Sequence, residues 1–289
     1  MQILDTHLHL VYRPQFQQPW MAGFPAIDQA WTAQSYFAEA EPLGIVGALH
    51  MEVDVVEAQM LEEARFMGTA HPKVIGAIAA GRPEHANFSA HLDALAKMPH
   101  VRGVRRVLHT MPDELSTSAL FVDNIRLLAA QGLSFDLCVR ANQLHLAHRL
   151  AAAAPDVQFI LDHCGNPDIA GEGYAGWKTG LAQLAGLPNV AAKISGIAVN
   201  AAPGWGADTL KPYVEQVIEN FGWDRVVWGS DHPVLRLNGS LGRWVEASLD
   251  LTASASEAER SKLFYHNAKR IYRLGGQHEA GRISHRDKA

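Results

Sequence analysis

Eight short apolar runs recur along the chain, with stretches of helical character between them. They are "MQILDTHL" (1–8), "GIVGALHME" (44–52), "VIGAIAA" (74–80), "VRGVRRVL" (101–108), "LSFDLCVR" (133–140), "VQFILDH" (157–163), "NVAAKIS" (189–195) and "RVVWGSD" (225–231). Several show little alternation, the pattern of strands buried on both faces of a parallel sheet. The stretch "DVVEAQMLEEARFMG" (54–68) sets Val55, Val56, Met60, Leu61 and Ala64 near one helical face, with Asp54 as a cap and Gly68 as a stop. Segments 117–132, 143–155, 209–222 and 256–274 also read as helices. Eight strands alternating with helices predict an α/β fold, a (β/α)8 TIM-like barrel formed as a single domain over 1–274, followed by a polar C-terminal tail over 275–289. A length of 289 residues suits one such domain. An open doubly wound sheet is the competing architecture, but no Gly-rich dinucleotide fingerprint follows the first strand.

Charge and patterning narrow the partners. A formal net charge of -5, with no Lys/Arg-rich tract, argues against a nucleic-acid or anionic-membrane binder. No apolar run approaches the roughly 20 residues of a membrane span. The N-terminus lacks a signal-peptide pattern. Cys138 and Cys164 lie in or beside apolar runs and read as buried thiols of a reducing compartment. The expectation is a cytoplasmic protein with a small-molecule partner, no nucleic acid and no membrane; a homo-oligomer is compatible with the sequence.

Barrel enzymes place their chemistry at the C-terminal ends of the strands. Here those ends carry His7 and His9, then His50 and Glu52, then Arg82 just beyond strand three. Strand four offers Arg105, Arg106 and His109; strand five, Arg140; strand six, His163; strand seven, Lys193 and Ser195; strand eight, Asp231 and then His232. Residues two apart in a strand face the same side, so Asp5, His7 and His9 are expected to share an inward direction. Two imidazoles so placed can bind one divalent cation, with His163 and Asp231 converging from strands six and eight. Three nitrogens and one oxygen suit zinc. Each piece alone has an ordinary structural reading; what gives them weight is their coincidence at strand ends. His71, His85, His91 and His100 read as loop or helix-surface residues. The long connection 10–43, with Pro14, Pro19, Trp20, Phe24 and Pro25, has the length of a functional loop or lid.

The stretches "LDTHLHL", "GVRRVLH", "LDHCGNP", "WGSDHPV" and "HNAKRIYRL" resemble, in order and spacing, the amidohydrolase superfamily. They are most similar to its amidohydrolase-related branch, which includes sugar lactonases of the fuconolactonase and rhamnonolactonase types and 2-pyrone-4,6-dicarboxylate lactonase. The resemblance runs from the first strand to about residue 274. It implies a deformed (β/α)8 barrel and hydrolysis by activated water. It further implies that His7 and His9 take the strand-one ligand or polarising role, that His163 takes the strand-six role, and that Asp231 accepts the proton of the hydrolytic water. The chain departs from the fuller superfamily pattern: strand four has no lysine for carboxylation, and strand five ends in Arg140 rather than histidine. One divalent metal, zinc by its ligands, is therefore the most that is expected, and some members of the branch work without a metal.

The expected reaction is the opening of a small lactone, a sugar lactone or a related carboxylated one. Asp231 acts as general base, and a single zinc ion or the histidines alone stabilise the oxyanion. Arg105, His109, Arg140 and Glu52 are the candidate substrate-binding residues; either arginine suits a carboxylate or sugar oxygens. The alternatives are a metal-dependent decarboxylase of the same superfamily and an amide or ester hydrolase. A non-catalytic barrel has no need of Asp231 opposite a histidine cluster. Ser195 in "KISGIA" lacks a nucleophile-elbow pattern, which speaks against a serine hydrolase.

Overall fold

Eight parallel strands, β1 (Ile3–Leu8), β2 (Ile45–Met51), β3 (Val74–Ala80), β4 (Val101–Val107), β5 (Ser134–Cys138), β6 (Phe159–Leu161), β7 (Val190–Ile194) and β8 (Val226–Trp228), form one sheet in sequence order. The computed structural model describes residues 1–171 and 173–275; the predicted polar tail beyond residue 275 lies outside the described residues. Beyond the last strand's end the sheet meets its beginning. Leu8 bridges His232 in parallel, the Asp231 N–H donates to the His7 carbonyl at 2.8 Å, and the His9 N–H donates to the His232 carbonyl at 2.8 Å. The result is a (β/α)8 barrel.

Helices surround the sheet: α1 (Ala33–Ala40), α2 (Met60–Met67), α3 (Phe88–Leu95), α4 (Ala119–Gln131), α5 (Leu144–Ala153), α6 (Tyr174–Ala185), α7 (Ala207–Phe221) and α8 (Leu241–Leu251). Their apolar faces and the outward strand residues make one continuous core, with Phe121, Phe135 and Phe159 among its members. A second core fills the barrel interior: Leu4, Leu49, Ile78, Ile160, Ala191 and Val227 come from six strands. Its bottom is stoppered by Ala268, Ile271 and Tyr272 from the C-terminal segment, which runs through α9 (Glu257–Ser261), a π turn and α10 (Asn267–Ile271).

Several expectations are corrected. Asp54 does not cap a helix; α2 begins six residues later, after a 3-10 turn at Glu57–Gln59. Asp54 instead sits in the left-handed region, φ 45°, where its N–H donates to Glu52 Oε2 at 2.7 Å and its carboxylate pairs with Arg82 at 3.0 Å. The long first connection carries α1, capped by Thr32 Oγ1, which accepts from the Ser35 N–H. Its loop portion has a small core of its own, Val11, Met21 and Ile27 against Val53.

Asp5 also departs from the simple period of two. Asp5 pairs with Ala48 and Leu8 with His50, so three steps along β1 match two along β2. That one-residue bulge reverses side-chain parity. Leu4 faces the barrel interior whereas Leu8 packs among the helices. His7 consequently faces inward while Asp5 is turned toward α1, where the Tyr36 hydroxyl donates to it. Asp5 Oδ1 accepts from the backbone N–H groups of His7 at 3.0 Å and Ser230 at 2.8 Å, tying the bulge to the turn after β8.

Candidate active site

At the upper end of the barrel interior one carboxylate stands among three imidazoles. Asp231 Oδ1 lies 3.4 Å from His9 Nε2, 3.6 Å from His7 Nε2 and 3.9 Å from His163 Nε2. All four residues are buried. Asp231 and His163 both hold left-handed backbone conformations, φ 61° and 54°, which are uncommon for side-chain-bearing residues and aim the two groups at each other. Gly196, φ 64°, makes that approach feasible: a Cβ there would meet His163 Nδ1 at 2.3 Å and Asp231 Oδ2 at 3.0 Å. Ser195 Oγ, next to it, is 2.9 Å from His163 Nδ1.

The imidazoles are neutral. Burial lowers His7 and His163, and it lowers His9 to about 3, with the Arg105 charge adding to the effect. Burial pushes the Asp231 carboxyl up to about 6, although His163 and Arg105 oppose the rise. His9 Nδ1 is 3.0 Å from the carbonyls of both Met51 and Glu52, which are acceptors only, so His9 carries its hydrogen on Nδ1 and offers Nε2 as a lone pair. Arg105 is clamped from behind: its Nε donates to Glu52 Oε1 at 2.6 Å and a terminal nitrogen to the Glu52 carbonyl at 2.8 Å. Its other terminal nitrogen reaches within 3.3 Å of His7 Nε2.

Below His7 lies a charged floor. Lys193 Nζ donates to Asp136 Oδ1 at 2.7 Å and to Asp162 Oδ1 at 2.9 Å, and Tyr272 donates to Asp136 Oδ1 at 2.8 Å. Burial alone would raise Asp162, but Lys193 and His7 hold it well below the usual carboxylate range. Burial likewise works against the Lys193 charge, and the two aspartates more than restore it.

The donor geometry fits one zinc ion. Ligand atoms about 2.0–2.1 Å from a tetrahedral zinc stand about 3.3 Å apart. His7 Nε2 and His9 Nε2 are 3.2 Å apart, and Asp231 Oδ1 completes a triangle with sides of 3.4 and 3.6 Å. The other candidate group among the described residues, His7, Asp162 and His163, shares His7 with the first, and its Asp162 is engaged by Lys193.

A cavity of about 1050 Å³ opens above this cluster. His9, Arg105, His109, Arg140, His163 and Asp231 line it, and Trp20 and Phe24 from the first loop form part of its wall. His109 Nδ1 rests 3.1 Å from Cys138 Sγ, a buried free thiol. Glu52 does not reach the cavity wall; it is buried behind Arg105, which corrects the expectation that it meets substrate directly. Among the other strand-end residues, His50 turns outward to Glu63 at 3.4 Å, Arg106 pairs with Glu84, and His232 packs on Trp31 and Tyr36. The roles of Asp136, Asp162 and Tyr272 were not legible in the sequence, and Lys193 and Ser195 were visible only as strand-end residues. Their one signal is a charged or polar side chain at an inward position of an otherwise apolar run.

The chain belongs to the amidohydrolase family, whose model matches residues 4–274, and is a hydrolase of that family. An L-fucono-1,5-lactonase of Burkholderia multivorans is 29% identical over 94% of this chain and 96% of its own length. An L-fucono-1,5-lactonase of Burkholderia ambifaria is 32% identical over 65% of this chain and 68% of its own. The crystal structure of an amidohydrolase from Burkholderia multivorans with bound zinc superimposes with a TM-score of 0.88, covering 95% of this chain and 100% of the other; at 22% identity it bears on the fold alone. No helix among the described residues is long and apolar enough to cross a membrane.

Proposed function

We propose that this chain hydrolyses a small lactone, a sugar lactone or a related carboxylated one, with Asp231 as general base. The carrying observation is the placement of the Asp231 carboxylate, within 3.4–3.9 Å of three neutral imidazoles and on the wall of a cavity that also exposes Arg105, His109 and Arg140. The catalytic unit is a single domain spanning 1–274.

Water attacks the lactone carbonyl carbon while Asp231 takes its proton. The new C–O bond turns the carbonyl oxygen into an oxyanion, which an imidazole N–H and the Arg105 guanidinium stabilise at the buried base of the cavity. Collapse of the tetrahedral intermediate breaks the ring C–O bond. The departing alkoxide recovers the proton from Asp231, and the product is an open-chain hydroxy acid. Arg140 and His109 hold the carboxylate or hydroxyl groups of the substrate. His7, His9 and Asp231 are the residues that would hold a zinc ion, with His163 adjacent; when bound, zinc supplies Lewis acidity to the carbonyl or the water. Lactones named for the fuconolactonase relatives are the first to test.

A decarboxylase of the same superfamily is the second reading. It is less well supported because Arg140 stands where an additional strand-five histidine is commonly needed. A panel of sugar lactones and dicarboxylate lactones, run beside aromatic carboxylates with detection of released CO2, separates the two. Ring opening of a lactone without CO2 release supports the lactonase reading; CO2 release with no lactone turned over removes it.

A further inference from the structure

The hydrogen count around His7 Nδ1 is unequal. Lys193 Nζ lies 3.2 Å from His7 Nδ1, 2.7 Å from Asp136 Oδ1 and 2.9 Å from Asp162 Oδ1, and all four residues are fully buried. An ammonium has three hydrogens and no lone pair. The two carboxylates take two of them, and among the described residues His7 Nδ1 is the partner within reach of the third. A hydrogen received there makes Nδ1 an acceptor and puts the ring's own hydrogen on Nε2. The upper side of the ring agrees. His9 presents a lone pair at Nε2, only 3.2 Å from His7 Nε2. Two neutral rings at that distance need one hydrogen between them, and His7 is the ring free to supply it.

The opposite tautomer has partners of its own. A hydrogen on His7 Nδ1 would donate to Asp162 Oδ1 at 3.3 Å and leave Nε2 bare, the arrangement of a metal-bound histidine backed by a carboxylate. Arg105 can donate to that bare nitrogen across 3.3 Å. In this state, however, Lys193 would aim its third hydrogen at an N–H and lose its acceptor, whereas in the Nε2–H state the Arg105 nitrogen facing His7 still has Asp162 Oδ2 3.7 Å away.

We propose that Lys193 is a positioning residue that holds His7 in its Nε2–H form, making His7 a hydrogen-bond donor to His9 and a weak ligand for zinc. This rests on reading His7, His9 and Asp231 as the reactive centre. Asp136 anchors the ammonium from below, and Tyr272 anchors Asp136. Metal occupancy then requires His7 to exchange its Lys193 contact for Asp162.

The test needs no substrate, so its failure is distinguishable from failure of the lactonase reading. Lys193→Met combined with Asp136→Asn removes the ammonium and one carboxylate together, leaving Asp162 to accept from His7. Zinc is titrated calorimetrically into the chelator-treated full chain. The double variant is expected to bind zinc about ten- to a hundred-fold more tightly than the parent; unchanged or weaker binding overturns the proposal. Histidine-selective 15N–1H correlation spectra of the chelator-treated parent supply the second measurement, which stands even if the variant does not fold. The His7 resonances, assigned by their loss in His7→Gln, are expected to place the hydrogen on Nε2. A hydrogen on Nδ1, or on both nitrogens, overturns the proposal whatever the calorimetry gives.

Discussion

His9 Nε2 stands 3.4 Å from Asp231 Oδ1 across the seam where the last strand of the barrel meets the first. The contact is held from both sides by backbone, because the Asp231 N–H donates to the His7 carbonyl and the His9 N–H to the His232 carbonyl. The Asp231 carboxylate and the histidines therefore share one rigid frame.

Asp231→Asn keeps the shape of the side chain and removes its basicity. Turnover of the best lactone is expected to fall by about 10²–10⁴, the usual worth of general-base assistance. Circular dichroism and thermal unfolding should match the parent. Near-parental kcat in the pure variant would remove Asp231 from the mechanism.

Gly196→Ala should damage the site without replacing a reacting group. The added methyl would sit 2.3 Å from His163 Nδ1, at a φ of 64° that alanine adopts only with strain. A stability loss of about 1–3 kcal/mol is expected from the backbone conformation, with a larger proportional loss in kcat as His163 is displaced from Asp231. Denaturant melts beside steady-state kinetics read both; an unchanged kcat would mean that the His163–Asp231 approach is not needed.

Arg105 and Glu52 are both buried, so removing one strands the other. Arg105→Met is expected to cost about 3–5 kcal/mol, as breaking a buried pair does. Arg105→Met with Glu52→Gln should recover much of that stability and none of the activity. Recovery of both in the double variant would make the arginine purely structural.

Elemental analysis of active protein is expected to return at most one divalent ion per chain. The two candidate ligand groups share His7, and Lys193 engages Asp162. Two tightly held ions would refute this geometry. His7→Ala should lower kcat with or without added zinc, since the ring would ligate the ion when one is bound and otherwise holds His9 beside Asp231.

Much of the barrel was readable because strands buried on both faces leave continuous apolar runs; each of the eight runs overlaps an observed strand. Helices α1, α3, α6 and α8 were not read. Serine at 240 does cap α8, but that signal is shared with many turns. The positions of His7, His9, His163 and Asp231 at strand ends were readable by counting. The parity of Asp5 was not, because a bulge is a property of how two strands pair and leaves no mark in either alone. The floor of Asp136, Asp162 and Lys193 escaped for a related reason. A charged residue in an apolar run announces a partner without naming it, and these partners lie on β5, on β7 and just past the end of β6.

Closing the reactive centre at the β8–β1 seam sets a schedule for its birth. The histidines at the end of β1 are made before the rest of the barrel, and Asp231 comes only after seven further strands. Tyr272, which pins the floor through Asp136, follows later still. A nascent chain thus carries half of the centre while the intervening strands are made and gains the other half once β8 emerges. Enzymatic activity waits for that last strand, and its appearance reports that the circle of strands has closed.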